Sequence, residues 1–361
     1  MRTSVRHFTR TVDGWFRQSA VAPPMRTRQR LIVLTLDILL SGSLVLRRMA
    51  SAQAYLTPQT TCAASHERRL RRALNAPLLT WERRSAPLAR QILMPCRARR
   101  WVVIIDATAH TEHLRVLTAA LWYRGRAIPL AWVCWPGQTK QTVSYWERCR
   151  AVLAQAAPIL PADARVVVVA DRAFARPAFP ALAAAHGGAG LAPVHGQPRW
   201  RDRRGGIPLI RTQVCQRGEG WNGAGLVVEE AGWRAARLGA LWGRAHQQPL
   251  LRGSRLPRSW ELIALDRQRA AIAALFRDWK SSAWQREARQ VRDLAHQERL
   301  VSGLALATRI TLGLGAHVHL QETFSDVVKT DKTGLSKTAH TRWMISAFAN
   351  FLPGSTIFRL A

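Results

Sequence analysis

The chain has 361 residues and a formal net charge of +32, from 54 lysines and arginines against 22 aspartates and glutamates. Hydrophobic residues make up 48% of it, which is enough for a folded core and excludes a disordered basic tail. The positive charge predicts a polyanionic partner, most simply nucleic acid, because basic side chains displace the counterions condensed on phosphates. The alternative is compositional, since a GC-rich genome also enriches arginine, alanine and glycine.

The five cysteines are widely spaced and form no Cys-x-x-Cys pair, which predicts a reducing cytoplasm and no structural zinc. The apolar segment 31–46 contains Asp37 and is shorter than the roughly 20 residues that a membrane span needs. It therefore predicts a buried helix, and no membrane partner is expected.

Residues 1–98 are predicted to form a helical N-terminal region. The apolar segment is followed by a basic helix at 66–74, with the sequence His-Glu-Arg-Arg-Leu-Arg-Arg-Ala-Leu, and by a helical stretch at 81–93. Four arginines within nine residues make this a predicted DNA-contacting region.

From residue 99 to about 182 the pattern changes to strands. Four are predicted, at 101–106, 113–123, 127–135 and 165–171. A turn at Arg124-Gly125-Arg126 joins the second to the third, and an amphipathic helix at about 142–156 precedes the fourth. A three-stranded meander, a helix and a fourth strand beside the first is the order of a ribonuclease-H-like mixed sheet flanked by helices, an α/β fold.

Two of these strands end in an aspartate. The runs Trp-Val-Val-Ile-Ile-Asp and Val-Val-Val-Val-Ala-Asp close with Asp106 and Asp171. Such runs predict buried strands, so each carboxylate is expected where a strand emerges into a cleft. Two carboxylates at neighbouring strand ends predict a divalent-metal site.

The rest of the chain divides into three parts. Residues 183–257 are rich in glycine and arginine, with strand-like runs at 207–214 and 225–229, and are predicted to be a β-rich insertion. Residues 258–316 return to the ribonuclease-H-like domain, with a strand at 259–265 and helices at 267–285 and 296–314. The C-terminal tail, 317–361, has a polar, turn-forming composition.

Four blocks of sequence resemble the DDE transposases of bacterial insertion sequences, in particular their insertion-sequence-4-like branch. The blocks are Asp-Ala-Thr from Asp106, Tyr-Arg-Gly-Arg-Ala-Ile-Pro-Leu from Tyr123, Ala-Asp-Arg-Ala-Phe from Ala170 and Phe-Arg-Asp-Trp-Lys-Ser-Ser-Ala-Trp from Phe276. They stand in the family's order within residues 30–315. Each is weak alone, and together they are specific.

The resemblance implies a DNA transposase that cleaves and joins strands at the terminal inverted repeats of its element. Such an enzyme would act as a homodimer on DNA, in the bacterial cytoplasm at the nucleoid. Family members hold two Mg²⁺ or Mn²⁺ ions with two aspartates and a glutamate; one ion activates the attacking hydroxyl and the other stabilises the leaving oxygen. Asp106 and Asp171 match the two aspartates, as catalytic and metal-binding residues.

The third carboxylate position departs from the family's pattern of Tyr, two residues, Arg, three residues, Glu, six residues, Lys. Aligned on Lys280, the pattern places Arg269 at the arginine, Asp266 at the tyrosine and Ala273 at the glutamate. A methyl group binds no metal, so this carboxylate is predicted to be lost. Three explanations stay open: a decayed copy of the element, a relocated acid such as Asp266 or Glu287, or a different register.

Ala173 stands where the family usually has glycine after Asp-Arg. Alanine costs about 1 kcal/mol there if φ must be positive and almost nothing otherwise. Like the alanine at the third carboxylate position, it favours a decayed copy.

The resemblance assigns two DNA-binding residues, and three more are candidates because they lie near the proposed site. Arg269 and Lys280 would face the scissile phosphate or the terminal-repeat backbone, with a solvated helix face as the alternative. Arg172, next to the second aspartate, would contact phosphate or shield the carboxylate. Trp284 and Trp279 would stack on bases, or pack in the core.

Two functional hypotheses follow. The first is a metal-dependent transposase, and the second is a catalytically inactive, transposase-derived DNA-binding protein. A ribonuclease-H-like nuclease acting on another nucleic acid is a third. The sequence has no Gly-x-Ser-x-Gly elbow and no Gly-x-x-x-x-Gly-Lys loop, which argues against acyl-transfer and ATP-driven enzymes.

Overall fold

Runs of valine and isoleucine form the central strands of one mixed sheet in the computed structural model of the protein. The structure describes residues 9–10, 12–14, 16–17, 24–56, 62–76, 86, 89–90, 93, 98, 100–111, 114–137, 142–174, 178–193, 200–201, 205–229, 232–244, 247–254, 256, 261–282 and 293–319. Its strands are β1 Trp101–Thr111, β2 Leu114–Tyr123, β3 Arg126–Trp135, β4 Val166–Ala170, β5 Gly188–Pro193, β6 Trp200–Arg201, β7 Gly220–Glu229, β8 Gly232–Leu241 and β9 Leu250–Ser254.

The α-helices in the described residues surround this sheet. They are α1 Met25–Ser41, α2 Leu46–Leu56, α3 Ala63–Leu74, α4 Tyr145–Ala156, α5 Ala178–Ala185, α6 Leu262–Gln268, α7 Ala270–Arg277 and α8 Leu294–His319. Short 3₁₀ turns lie at Ala157–Ile159, Arg172–Phe174 and Ile210–Gln213, and a π-helical turn lies at Asp278–Ser282.

The strands are ordered β3-β2-β1-β4-β5-β9-β8-β7-β6 across the sheet. β1, β2 and β3 form an antiparallel meander, whereas β4 runs parallel to β1 and β5 runs parallel to β4. The predicted meander and the predicted place of the fourth strand beside the first are therefore confirmed. β5 and β9 pair antiparallel, so the strands within 200–254 continue the same sheet.

Local sequence signals set the ends of these elements. The β2–β3 hairpin turns at Arg124 and Gly125, whose φ angles of 48° and 78° are those of a two-residue type I′ turn, as the Arg-Gly-Arg signal predicted. Helix α4 begins after Ser144, whose hydroxyl accepts from the Glu147 amide at 3.2 Å while the Glu147 carboxylate accepts from the Ser144 amide at 2.7 Å. This capping box starts the helix at Tyr145 rather than at 142.

The two faces of the sheet are buried by different helices. Because side chains alternate along a strand, Val102 of β1 and Val167 and Val169 of β4 share one face, where they cluster with Leu262 and Leu265 of α6. The opposite face belongs to the main core, which includes α4. That core also contains α1 and α8.

The predicted buried helix at 31–46 is largely confirmed, since most of the α1 residues from Leu31 to Leu40 are buried. It ends at Ser41 because Gly42 adopts a left-handed φ of 59°. Among the described residues no single helix is long and apolar enough to cross a membrane, although Met25–Ser41 and Leu46–Gln53, bent by 90°, pass that test as a pair.

The third strand of the meander contains a bulge whose backbone carbonyls accept hydrogen bonds from an arginine. Ala119 pairs with Ala131 and Ala120 with Pro129, which leaves Leu130 as the extra residue. Arg309 of α8 donates to the Pro129 carbonyl at 2.6 and 2.9 Å and to the Leu130 carbonyl at 3.2 Å. Complete burial lowers the Arg309 pKa to about 9.

Several predicted elements were wrong. The strand expected at 259–265 is helical from Leu262 onwards, because Leu262 and Leu265 bury one side of a helix at a spacing of three. The strand expected at 207–214 contains the 3₁₀ turn Ile210–Gln213 instead. The helix expected at 267–285 is divided by a turn at Arg269. The helix expected at 296–314 is confirmed, as part of the longer α8. Most of the stretch 81–93 and all residues beyond 319 lie outside the described residues.

Candidate functional site

Asp106 and Asp171 lie side by side on one face of the sheet. The parallel pairing of β1 with β4 ends at Ile105 and Ala170, and the two aspartates are the next residues along. Each aspartate is an even number of residues from the valines of its strand that α6 covers, so its side chain points to the same face of the sheet. The predicted meeting of these two carboxylates is therefore present in the fold.

Asp106 does not end its strand, which corrects the expectation from sequence. β1 continues to Thr111, paired to β2 throughout, and Asp106 itself pairs with Thr118. No glycine or proline stops the strand at Asp106, so the antiparallel partner carries it onward. Only β4 ends here, and β1 has no β4 partner from Asp106 onward.

Backbone amides hold both carboxylates. The Ala107 amide donates to Asp106 Oδ1 at 2.7 Å, and the Ala173 amide donates to Asp171 Oδ1 at 2.9 Å. Burial and then the negative charge of Asp171 raise the pKa of Asp106 from 3.8 to about 6, against opposing effects of the Ala107 amide and of Arg269. The ionised form of Asp106 is therefore disfavoured by its surroundings, and a bound cation would stabilise it.

Ala173 fits its position without strain. Arg124 is the one non-glycine residue with a positive φ among those described, so alanine at 173 does not incur the cost of a left-handed conformation. Its amide is used by the Asp171 carboxylate. The departure from glycine at this position is thus no sign of a damaged site.

Arg269 lies between α6 and α7, close enough to the pair for its charge to lower the pKa of Asp106. Its Nε is buried and has no hydrogen-bond acceptor among the residues that the structure describes. The structure thus brings together Asp106, Asp171 and Arg269 among the residues expected at the site.

Asp266 is not available as a relocated third carboxylate. Arg252 of β9 donates to Asp266 Oδ2 at 2.7 Å, and Arg252 Nε lies 2.7 Å from Oδ1 in a less well-aligned contact. Both side chains are buried. The other proposed substitute, Glu287, lies outside the described residues.

Ala273 is exposed, on α7 one helical turn after Arg269. Helix α7 contacts β1 and β3, so position 273 belongs to the helix that lies beside the aspartate strand. Within the described part of the chain no group of three or more histidine, cysteine, aspartate or glutamate side chains is arranged to hold a metal ion. The site therefore has two carboxylates in the described structure.

The remaining expected residues have different outcomes. Lys280 is half-buried in the π-helical turn. Trp279 is fully buried and donates from Nε1 to Thr308 Oγ1 at 3.0 Å, so it packs in the core and does not stack on bases. Arg172 lies in a 3₁₀ turn with an undescribed side chain, and Trp284 lies outside the described residues.

Sequence reasoning missed Tyr145, the first residue of α4. Burial, followed by the charges of Cys149, Asp171 and Asp106, raises the pKa of its hydroxyl above the ordinary value. Its ring packs against Phe174, which follows Asp171 closely in the chain. The capping signal Ser-Tyr-Trp-Glu marks a helix start, but only the fold shows that this start lies near the aspartates.

A basic surface lies on α3. Leu70, Ala73 and Leu74 face the core, while the arginines on the other side are exposed: Arg68, Arg69, Arg71 and Arg72. Arg71 pairs with Glu67 at 2.7 Å and remains 64% exposed. The predicted basic helix is confirmed as a helix with exposed arginines.

No protein family model matches the chain, and no curated protein matches it. Among solved structures, it is similar to one titled "Cryo-EM structure of piggyBac transposase synaptic complex with hairpin DNA", with a TM-score of 0.46 and 8% sequence identity. The similarity covers 98% of this chain and 80% of that chain. A likeness of this size identifies neither a family nor an activity.

Proposed function

We propose that the chain is a DNA transposase of the insertion-sequence-4-like DDE type that has lost its third carboxylate. The single observation that carries this proposal is the juxtaposition of Asp106 and Asp171 on one sheet face, beside Arg269. Two adjacent carboxylates with a nearby arginine suit a phosphodiester and a divalent cation.

The strand order supports a ribonuclease-H-like reading of the fold. An antiparallel β1-β2-β3 meander with β4 parallel beside β1 is the strand order expected for a ribonuclease-H-like fold, and β5 follows parallel beside β4. The first aspartate then lies on β1 and the second after β4. Both are where the sequence blocks assign catalytic acids.

The residues fit one divalent ion better than the two of the family. Asp106 and Asp171 supply hard oxygen ligands. Burial, and after it the charge of Asp171, raises the pKa of Asp106, and a bound cation would stabilise the ionised carboxylate. Mg²⁺ or Mn²⁺ bound there would supply Lewis-acid activation of a phosphodiester. At position 273 alanine offers no ligand, so a second ion would lack its carboxylate.

Different basic residues of the chain would contact different parts of the DNA. Arg269 would hold a phosphate oxygen beside the aspartates, because its side chain is 32% exposed and its positive charge already acts on Asp106. The exposed arginines of α3 would contact the DNA backbone away from this site. A homodimer on paired DNA ends, in the cytoplasm at the nucleoid, follows from the same proposal.

The test is a cleavage assay on DNA that carries the sequences flanking the gene, in Mg²⁺ or Mn²⁺. Wild type is compared with Asp106→Ala and Ala273→Glu, and Ala273→Gln is the matched control. We expect weak or no cleavage by wild type, none by Asp106→Ala, and a gain with Ala273→Glu only. Equal cleavage above background by wild type and Asp106→Ala, or no gain in cleavage with Ala273→Glu, would overturn the proposal.

A second candidate function is favoured by Ala273 itself. With two carboxylates in the described structure, the protein would bind the element's ends without cutting them and would compete with an intact transposase. It then binds DNA with a strong salt dependence. Silence of wild type together with cleavage by Ala273→Glu supports this inactive, DNA-binding form.

A further inference from the structure

Asp266 has two cationic neighbours from different parts of the chain. Arg252, on β9, binds both carboxylate oxygens with contacts of 2.7 Å each. Arg269, three residues further along the helix, brings Nε to 4.0 Å from Asp266 Oδ1. The side chains of Asp266 and Arg252 are 9% and 8% exposed, whereas that of Arg269 is 32% exposed. The Asp266 carboxylate thus lies between a buried arginine, Arg252, and a partly exposed arginine, Arg269.

The helix that bears Asp266 is fixed along its whole length. At its start, Glu261 forms an ion pair with Arg100, which immediately precedes β1. Along its buried side, Leu262 and Leu265 pack against the β4 valines that lead to Asp171. Its last turn is held by the buried pair with β9. The end of α6 therefore has a defined position relative to the aspartate strands.

Arg269 follows directly on this fixed end. Its amide donates to the Asp266 carbonyl at 3.0 Å, and its own carbonyl accepts from the Ile272 amide at 3.1 Å, so these two hydrogen bonds fix the turn that joins α6 to α7. Within the described part of the chain the buried Nε has no hydrogen-bond acceptor, and Asp266 Oδ1 lies 4.0 Å from it. The positive charge of the guanidinium lowers the pKa of Asp106. A long side chain at such a place needs an anchor to keep its orientation, because free arginines sample many rotamers.

We propose that Asp266 is a positioning residue that anchors Arg269 beside the Asp106–Asp171 pair, and that Arg252 from β9 fixes Asp266 in this role. The strands β7 to β9 are thereby linked to the candidate site through one ion pair. Asp266 acts on Arg269 and not on a metal. That Arg269 then meets a DNA phosphate rests on the proposed function, whereas the anchoring does not.

The anchoring is tested on the full-length protein without DNA or metal. Phenylglyoxal modifies accessible arginine side chains, and mass spectrometry reports the rate at each position. We expect Asp266→Asn to increase the modification rate of Arg269 by about two- to fivefold, the range of a partly exposed ion pair. Arg267 and Arg277, both exposed on the same helical segment, are internal controls whose rates stay unchanged.

A second variant separates anchoring from folding. Asp266→Asn leaves Arg252 buried without its partner, which destabilises proteins strongly. The double variant Asp266→Leu/Arg252→Met replaces the pair by apolar side chains and keeps the fold, yet also frees Arg269. We expect the same increase in Arg269 modification. An unchanged Arg269 rate in this folded double variant would overturn the inference and leave Asp266 a purely structural residue.

DNA binding distinguishes failure of the inference from failure of the proposed function. Arg269→Gln is expected to lower the slope of log affinity against log salt by about one ion. If Asp266 acts through Arg269, Asp266→Asn weakens the binding of a short DNA duplex when Arg269 is present. In a protein that already carries Arg269→Gln, the same substitution causes no further loss of affinity. If Arg269 modification rises while DNA affinity is unaffected by Arg269→Gln, the anchoring stands and the phosphate contact is refuted.

Discussion

Replacing Asp106 by asparagine is expected to stabilise the fold at neutral pH. The Asp106 carboxyl titrates at about 6 in the folded protein against 3.8 in the unfolded chain. That difference of about 2 units corresponds to about 3 kcal/mol, at 1.36 kcal/mol per unit. Water around the partly exposed carboxyl reduces the expected gain to about 1 to 3 kcal/mol. Asparagine keeps the Oδ1 acceptor for the Ala107 amide, so the local hydrogen bond survives.

The direction of the Asp106 pKa shift determines the pH range in which stability changes. Because the pKa of Asp106 is higher in the folded state, the folded protein binds more protons between about pH 4 and pH 6. The stability of wild type therefore falls as pH rises through this window, and the variant lacks this loss. The advantage of Asp106→Asn is largest above pH 6 and disappears towards pH 4.

The assay is urea unfolding in EDTA at pH 7.5 and near pH 4, with Asp163→Asn as the control at an exposed position before β4. Adding Mn²⁺ at 100 times its dissociation constant should then stabilise wild type by about 2.7 kcal/mol and leave Asp106→Asn unchanged. A variant that is no more stable than wild type at pH 7.5, or equally favoured at both pH values, would refute this reasoning.

Three further changes test the fold. Arg309→Met leaves the carbonyls of the β3 bulge without their donor and should lower the free energy of unfolding by about 1 to 3 kcal/mol, measured by urea unfolding. Gly225→Ala places a Cβ 2.2 Å from the Arg201 carbonyl oxygen, so β6 must separate from β7 at a cost of about 1 to 3 kcal/mol. Gly220→Ala meets its nearest atom at 3.6 Å and is the tolerated control; equal melting temperatures for the two would contradict the packing. Burial raises the pKa of Asp37 well above its usual value, so Asp37→Asn should stabilise the protein increasingly as pH rises above 3.8, and a pH-independent effect would exclude this cause.

The central strands and the aspartate pair were predictable from sequence because their signals are local. Valine runs mark buried strands, Arg-Gly marks the hairpin, and the meander places β4 beside β1. The place of Asp106 within β1 was not predictable, because the residues after it form a strand only with β2 as partner. Strand pairing between segments that are distant in the sequence stabilises these residues, and it produces no recognisable pattern in the local sequence.

The surroundings of the third carboxylate position were harder to predict from the sequence. Asp266 looked like a free acid in the sequence, yet Arg252, fourteen residues earlier, neutralises it across the β9–α6 contact. The short apolar run with Leu262 and Leu265 fits both a strand and a buried helix, and only the packing against β4 decides for the helix. Tyr145 is near the aspartates only because α4 packs beside them. Each of these facts depends on tertiary contacts.

The most direct test of the central claim is a Mn²⁺ titration followed by electron paramagnetic resonance, on wild type, Asp106→Asn, Asp171→Asn and Ala273→Glu. The aspartate pair with a lost third carboxylate predicts one weak Mn²⁺ site in wild type, no such site in either asparagine variant, and tighter or additional binding in Ala273→Glu. Binding that is the same in wild type and both asparagine variants would contradict the claim.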